Sequence, residues 1–438
     1  MKNLAIILLI TAQPLAAQTD ARCTWTAQQC MRYAVGHNHE VNRTALQLDN
    51  QLESKTRAIG DFLPSVGANV GAQYNFGRAI DPETNTYTNV NTFYNGYRVY
   101  STLPVFDGFS RLHALRAAKA GVQMGRAALR QQQDATALAT LQAYTDVMYC
   151  LGTIAMADEK LKETTLLLKQ MRLLEEVGRK RAADVALVES QQAEAEYNLT
   201  RQQNLYESAL LELKKQMAWP LDEALDIAQM SADENLAPAL ADGNPFTDTH
   251  AALETARYQT VAARHEWHQM RSSLCPTISL NVGMNTSYNK TLHRHKAASF
   301  DEQFRNNRGE YIEATLSIPL FNRMQTVTGI RRARNNYRIA LEDYEQKRLE
   351  LEKMGREAWQ DWQAYLKQTS QMMHKVEADS IAYQLTRRQF EEGLSTAIEL
   401  RSTSTQLLQS RATLLQCRLM AMVKRQLVRY YRGECIWE

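Results

Sequence analysis

Two hydrophobic periods share out this chain. Over 66–76 every second residue is apolar or aromatic (Val66, Ala68, Val70, Ala72, Tyr74, Phe76), with Gly67, Asn69, Gly71, Gln73 and Asn75 between them. Side chains two apart on a strand share a face, so this period predicts a strand with one greasy and one polar side. The same alternation recurs at Ile278, Leu280, Val282, Met284 and Tyr288 against Ser279, Asn281, Gly283 and Asn285. It recurs again at Ile312, Ala314, Leu316 and Ile318 against Glu313, Thr315 and Ser317. Strands are expected at 64–76, 94–104, 276–288 and 310–319.

The rest reads as helix, and the prolines mark where. They stand at 14, 64, 82, 104, 220, 238, 245, 276 and 319, leaving 105–219 and everything after 319 free of them. Proline breaks helix interiors, and both windows are filled with strong helix formers. From Asp107 to Val177 is about 70 residues, a rod of roughly 100 Å. Rods of that length need partners equally long.

The two windows are copies. Pro104-Val105-Phe106-Asp107 returns 215 residues later as Pro319-Leu320-Phe321-Asn322, and Gly178 returns at the same offset as Gly393. An internal duplication follows. Each copy reads as helix (25–60, 249–273), strand, polar loop, strand, long helix, glycine turn, returning helix (181–217, 396–431). The expected divisions are 18–217 for the first repeat, 218–248 for a linker and 249–438 for the second repeat. The alanines at 114, 117, 118, 127, 128, 135 and 139 are expected at close helix contacts.

Composition adds little except at the amino end. Net charge is +3, which gives no argument for nucleic acid. Residues 1–17 have Lys2, an apolar core from Leu4 and a Leu15-Ala16-Ala17 exit, the pattern of a secretory signal peptide. The apolar run is far shorter than the ~20 residues of a spanning helix. Six cysteines, at 23, 30, 150, 275, 417 and 435, leave disulfides open, Cys23 and Cys30 being the nearest pair in sequence.

Four strands of barrel length cannot close a barrel, which takes at least about eight. An open edge in lipid leaves backbone groups unpaired at several kcal/mol each. The greasy faces meet lipid only if copies of the chain pool their strands, and three copies give twelve. Two soluble hairpins on a coiled coil, a periplasmic scaffold or adaptor, are the alternative.

The chain resembles the TolC-like outer-membrane efflux proteins over nearly its whole mature length. The resemblance rests on Trp25, Cys30, Tyr33, Ala34 and Asn38 of "WTAQQCMRYAVGHN", on "LPSVGANVG", on the corners "LPVFDGFSRLHALRAA" and "IPLFNRMQTVTGIRRA" (Pro104, Phe106, Pro319, Phe321), and on the Gly-x5-[Asp/Glu]-[Val/Leu] turns. It implies a mostly α chain with a membrane β-barrel: a homotrimer with a twelve-stranded barrel in outer-membrane lipid over a periplasmic α-helical barrel. It implies a passive channel that takes substrate from an inner-membrane pump and a periplasmic adaptor, with no cofactor and no reaction. It leaves the class of cargo open, among drugs, metal ions and proteins.

The resemblance also implies that the turns at Gly178 and Gly393 form the gated periplasmic tip, with Leu394, Ser395 and the carboxylates Asp184 and Glu399. Glu399 matches a family position that lines the closed entrance. Ser402 stands where a second acid is usual, and Arg179-Lys180-Arg181 departs from the apolar-then-small pair that Leu394-Ser395 keeps. Other chemistry is thin. His293 with His295 lacks an acidic or cysteine partner at metal spacing, and His265 with His268, three apart on a helix, is expected to share a face. Tyr74, Phe76, Tyr94, Tyr97, Tyr100 and Tyr288 are expected to form an interfacial aromatic girdle. No nucleophile with a base and an orienting group is evident.

Overall fold

The computed structural model describes residues 24–80, 85–89, 91–228, 249–291 and 298–437. The signal segment 1–17, Cys23, His293, His295 and most of the linker 218–248 lie outside them. The possible Cys23–Cys30 bridge therefore has one visible end. Cys30 is a free thiol, fully buried, its pKa pushed up to about 12 by that burial.

The first helical stretch is two helices, where the sequence suggests one. Helix α1 (Ala27–His37) opens on a capping box between Thr26 and Gln29. Asn38 then turns extended (φ −62°, ψ 133°) and accepts from the Glu40 N–H at 2.8 Å, starting α2 (His39–Gly60). Its amide donates to the Gln216 carbonyl at 2.9 Å, so the break is pinned from across the fold. Strands β1 (Ser65–Asn75), β2 (Arg78–Ile80), β3 (Tyr87–Asn89) and β4 (Thr92–Phe106) follow. Then come α3 (Ser110–Glu176), α4 (Ala182–Met217), α5 (Ala251–Ser272), β5 (Thr277–Thr291), α6 (Phe300–Asn306), β6 (Gly309–Ser317), α7 (Gln325–Glu391) and α8 (Ala397–Tyr431). The small β2–β3 hairpin and α6 occupy stretches expected to be polar loops.

Helices α3 and α7 are 67 residues each, unbroken. Helix α3 packs on α4 and α7 on α8, while α5 lies between α3 and α7 and α2 lies along α3. Where α1 crosses α3 and α4, Cys30, Ala34, Ala143, Val147, Leu213 and Met217 form an apolar core. A second core sets Trp362 against Leu253, Ala358 and Val428. Of the alanines expected at close helix contacts, Ala127 is buried and Ala114, Ala117, Ala118 and Ala128 are half-buried. Ala135 and Ala139 are exposed and make no such contact within the protomer.

The sheet is antiparallel in the order β1-β4-β5-β6, with β1 and β6 as open edges. Its register lines up Gly67, Tyr100, Gly283 and Tyr311 across all four strands. Directly opposed residues share a face, so this row joins Asn69, Arg98 and Asn285 on the polar side. There Tyr100 lies over Gly67 and Tyr311 over Gly283, so close that a Cβ would stand 2.8 and 2.5 Å from the rings. Thr102 Oγ1 donates to Asn281 Oδ1 at 2.9 Å on the same face. The other face carries Val66, Val70, Val99, Val282 and Ile312, all exposed. The register corrects the aromatic girdle. Tyr94 and Tyr100 belong to the polar face, and only Tyr74, Phe76, Tyr97 and Tyr288 fall on the apolar one. Tyr97 and Tyr288 are covered there by Phe300 of α6, with ring centroids at 6.3 and 5.4 Å. No described helix is long and apolar enough to cross a membrane.

Candidate functional site

Two hairpin turns, between α3 and α4 and between α7 and α8, stand at the far end of the long helices. Gly178 has φ +73° and Gly393 φ +80°, the left-handed region. A Cβ at either would meet nothing within 4 Å, so backbone conformation alone selects glycine. The second turn closes with Leu394 N–H on the Gln389 carbonyl at 2.7 Å, and the first with Arg179 N–H on the Leu174 carbonyl at 2.8 Å. Both follow the helix-ending Schellman pattern.

Asp184 and Glu399 are each the third residue of the returning helix. Glu399 Oε2 accepts from the Thr396 N–H at 2.9 Å and the Ser395 hydroxyl at 2.6 Å, while Thr396 Oγ1 accepts from the Glu399 N–H at 3.2 Å. This is a full capping box. The Ser395 hydroxyl first, then the Thr396 backbone, holds the carboxyl below its usual range, so it stays ionised. Asp184 accepts a longer bond, 3.4 Å, from the Arg181 N–H. Arg181 has no side-chain oxygen with which to return a cap. The Gly-x5-acid spacing thus has a local structural cause, legible in sequence as Thr396-x-x-Glu399.

The two tips are bound together. Leu168, Met171, Val185, Val188, Phe390 and Leu400 share one apolar core. Lys180 Nζ sits 4.8 Å from the Phe390 ring centroid, and Arg401 bridges to Glu194 at 2.9 Å. Arg179, Arg181, Leu394 and Ser402 are exposed or nearly so. The spacing of Lys180 from Phe390 in sequence gave no hint of that contact.

The strand-to-helix corners are alike in sequence and unlike in surroundings. Pro104 and Phe106 lie within β4, with a register shift between them, and Phe106 stands opposite Ile278. Gly108 has φ +64°, and a Cβ there would stand 2.5 Å from Cys275 Cβ. The repeat places Arg323 at the matching position, and it holds φ +54° without glycine. Pro319 and Phe321 lie beyond the end of β6 at the sheet edge. Leu320 is 92% exposed and Phe321 79%, a large apolar pair left open on the surface.

His265 and His268 share a helix face, as their spacing suggests, and a third histidine joins them. His113 Nδ1 lies 3.4 Å from His265 Nδ1, and the His113 ring stacks on His268 with centroids at 5.2 Å. Nothing in the sequence tied residue 113 to 265. Among the described residues no group of three or more His, Cys, Asp or Glu is arranged to hold a metal ion.

A long helical hairpin repeated beside a four-stranded sheet, one face of it apolar and exposed, is a membrane-channel protomer in form. The family model for outer membrane efflux proteins matches residues 32–218 and 247–427, and the chain belongs to that family. It is an outer-membrane efflux channel of the kind that serves tripartite systems, and it is not an enzyme. No curated protein sequence matches it significantly. Its fold is similar to that of CusC, whose crystal structures concern transmembrane channel formation (TM-score 0.81, 14% identity, 93% of this chain and 92% of that one). It is similar to the outer membrane protein VceC from Vibrio cholerae (0.79, 14%, 94% and 97%). It is similar too to the open state of the Neisseria gonorrhoeae MtrE outer membrane channel (0.74, 14%, 93% and 88%).

Proposed function

We propose that three copies of this chain form the working channel, pooling their sheets into a twelve-stranded barrel in the outer membrane. Their long helices then make one tube across the periplasm. The observation that carries this is the sheet itself: two open edges, β1 and β6, beside an apolar face with Val66 and Ile312 more than 70% exposed. Unpaired edges are untenable in lipid, and a neighbour's sheet would pair both. The exposed Leu320 and Phe321 at the β6 edge favour the same arrangement.

In this reading residues 1–17 export the chain. The repeats 18–217 and 249–438 each supply half of a protomer's share of wall, joined by 218–248. The turns at Gly178 and Gly393 form the periplasmic entrance, where Glu399 repeats around the threefold axis. Three carboxylates in a narrow opening attract cations. Asp184 and the Arg179-Lys180-Arg181 turn meet the adaptor, and an inner-membrane pump supplies the energy. The test is assembly. The protein should leave membranes only in detergent and show three chains by native mass spectrometry. A stable, detergent-free monomer in light scattering would overturn the arrangement.

A further inference from the structure

Beneath the sheet, α2, α3 and α5 enclose an open groove of about 470 Å³. Its walls carry Lys55 of α2, Arg116, Lys119 and Arg126 of α3, and Tyr258 and His265 of α5. No described carboxylate pairs with any of the four cations, whereas cations elsewhere on the long helices commonly pair one turn away, as Lys162 does with Asp158 and Arg387 with Glu391. The histidine cluster extends the groove toward the sheet, and Arg264 and Arg271 stand beside it. Burial first, then Arg116, Arg264 and Arg271 and the rings' own mutual repulsion, lowers the pKa of all three imidazoles. Their ring N–H groups add donors beside the four cations. The chemistry suits a phosphate.

Its depth can be read from the chain. Helix α3 begins at Ser110, so at 1.5 Å per residue Arg116 lies about 9 Å and Lys119 about 14 Å below that start. Lys55 lies about 8 Å below the end of α2, and His265 about 11 Å below the end of α5, by the same rise. Just above stands a collar of exposed apolar side chains: Ile59, Phe62, Leu63, Phe109, Met270 and Leu274. An apolar collar over a basic ring is the order in which a protein meets hydrocarbon and then headgroups.

The face of α3 also fits. At 100° per residue, Arg116, Lys119, Gln123 and Arg126 fall within about 80° of Arg130, Asp134, Ala137 and Leu141. Arg130 donates to the Gly433 carbonyl at 2.8 Å, and Asp134 accepts from Trp437 Nε1 at 3.1 Å. Ala137 and Leu141 pack with Met31 and Val35 of α1. A face covered by α1 and the carboxy-terminal segment would obstruct a duct, so it is the outer one.

We propose that this groove binds the phosphate of an anionic phospholipid in the periplasmic leaflet of the outer membrane. The site lies within one protomer, three times per trimer, and it rests on the barrel reading above. Lys55, Arg116 and Lys119 hold the phosphate, and the collar receives the acyl chains.

The trimer, delipidated in a neutral detergent, is titrated with phosphatidylglycerol or phosphatidylcholine and bound lipids are counted by native mass spectrometry. Wild type should retain phosphatidylglycerol at least tenfold more tightly than phosphatidylcholine, and that preference should shrink in high salt. Arg116→Gln with Lys119→Gln should remove most of it, while Arg116→Lys with Lys119→Arg should keep it. If the Gln variant does not assemble, the wild-type preference and its salt dependence still decide. Equal retention of the two lipids by wild type overturns the proposal and leaves an acidic protein surface as the partner to seek. So does an unchanged preference in the Gln variant, or full displacement of lipid by millimolar inorganic phosphate. Any of these with an intact trimer removes the groove alone. Loss of the trimer in wild type would instead strike the channel architecture.

Discussion

The ammonium of Lys180 lies 4.8 Å over the ring of Phe390, so the first hairpin's turn is fastened to the last helical turn before the second. A cation over an aromatic face contributes about 0.5–1 kcal/mol where solvent reaches it. That is enough to shift a gate whose states differ by little. Lys180→Ala should raise the open fraction in single-channel recordings, and Lys180→Arg should behave as wild type. Identical gating in Lys180→Ala would mean that the shared apolar core holds the tips unaided.

Glu399 has two separable roles. Its geometry caps α8, and its charge faces the proposed entrance. Glutamine can take the same place in a capping box. Glu399→Gln should therefore leave stability nearly unchanged while weakening cation selectivity in planar bilayers. Glu399→Ala should lose selectivity and also weaken the start of α8, because the side chain that returns the cap is gone. Asp184→Asn should affect ions less and adaptor binding more. Selectivity that vanishes with Asp184→Asn and survives Glu399→Gln would move the gate to the first hairpin.

The sheet register chooses which mutations test its faces. Asn69 lies opposite Arg98, so an arginine at 69 would meet a like charge. Asn281 lies opposite Glu313, where an arginine gains a partner. Asn281→Arg should insert and assemble normally. Val282→Arg, one residue on and on the apolar face, should cost roughly 2–4 kcal/mol near the bilayer midplane and reduce the heat-stable trimer seen on gels. Equal yields from both would mean that the faces are misassigned.

His250 predicts an acid weakness. It caps α5, with Nδ1 accepting from the Ala252 N–H at 3.2 Å, and it is buried between Tyr430 and Tyr431. Burial, then Arg130 and Lys347, pushes it from 6.5 down to about 4. The unfolded chain takes the proton first, so the folded state keeps full stability above about pH 6.5 and loses it as pH falls toward 4. The loss reaches roughly 3 kcal/mol. His250→Asn keeps a cap without the proton, and its thermal unfolding should change less between pH 7 and 4.5. A parallel decline in both proteins would place the acid sensitivity elsewhere.

The sequence disclosed what local rules govern. Strand alternation, proline-free windows and the glycines at 178 and 393 lie close to the observed elements because each is set by nearby residues. What it hid was set by distant ones. Asn38 breaks the first helix with help from Gln216, 178 residues away. Tyr94 and Tyr100 looked like membrane anchors until pairing placed them opposite Gln73 and Gly67. His113 met His265 only through helix packing. At the tip the acid positions were legible, while their bonding to Ser395 and Thr396 gave them a second meaning.

The equal length of α3 and α7, 67 residues each, makes the protein a ruler with matched rails. Inserting one heptad adds about 10 Å to a helix. Added to α3 alone, it would shear the Lys180 turn away from Phe390 and shift every contact with α4 out of step. The duct can lengthen only if all four long segments gain the same increment together. Paralogues adapted to a wider or narrower envelope should therefore differ by whole, fourfold-repeated insertions and not by single ones.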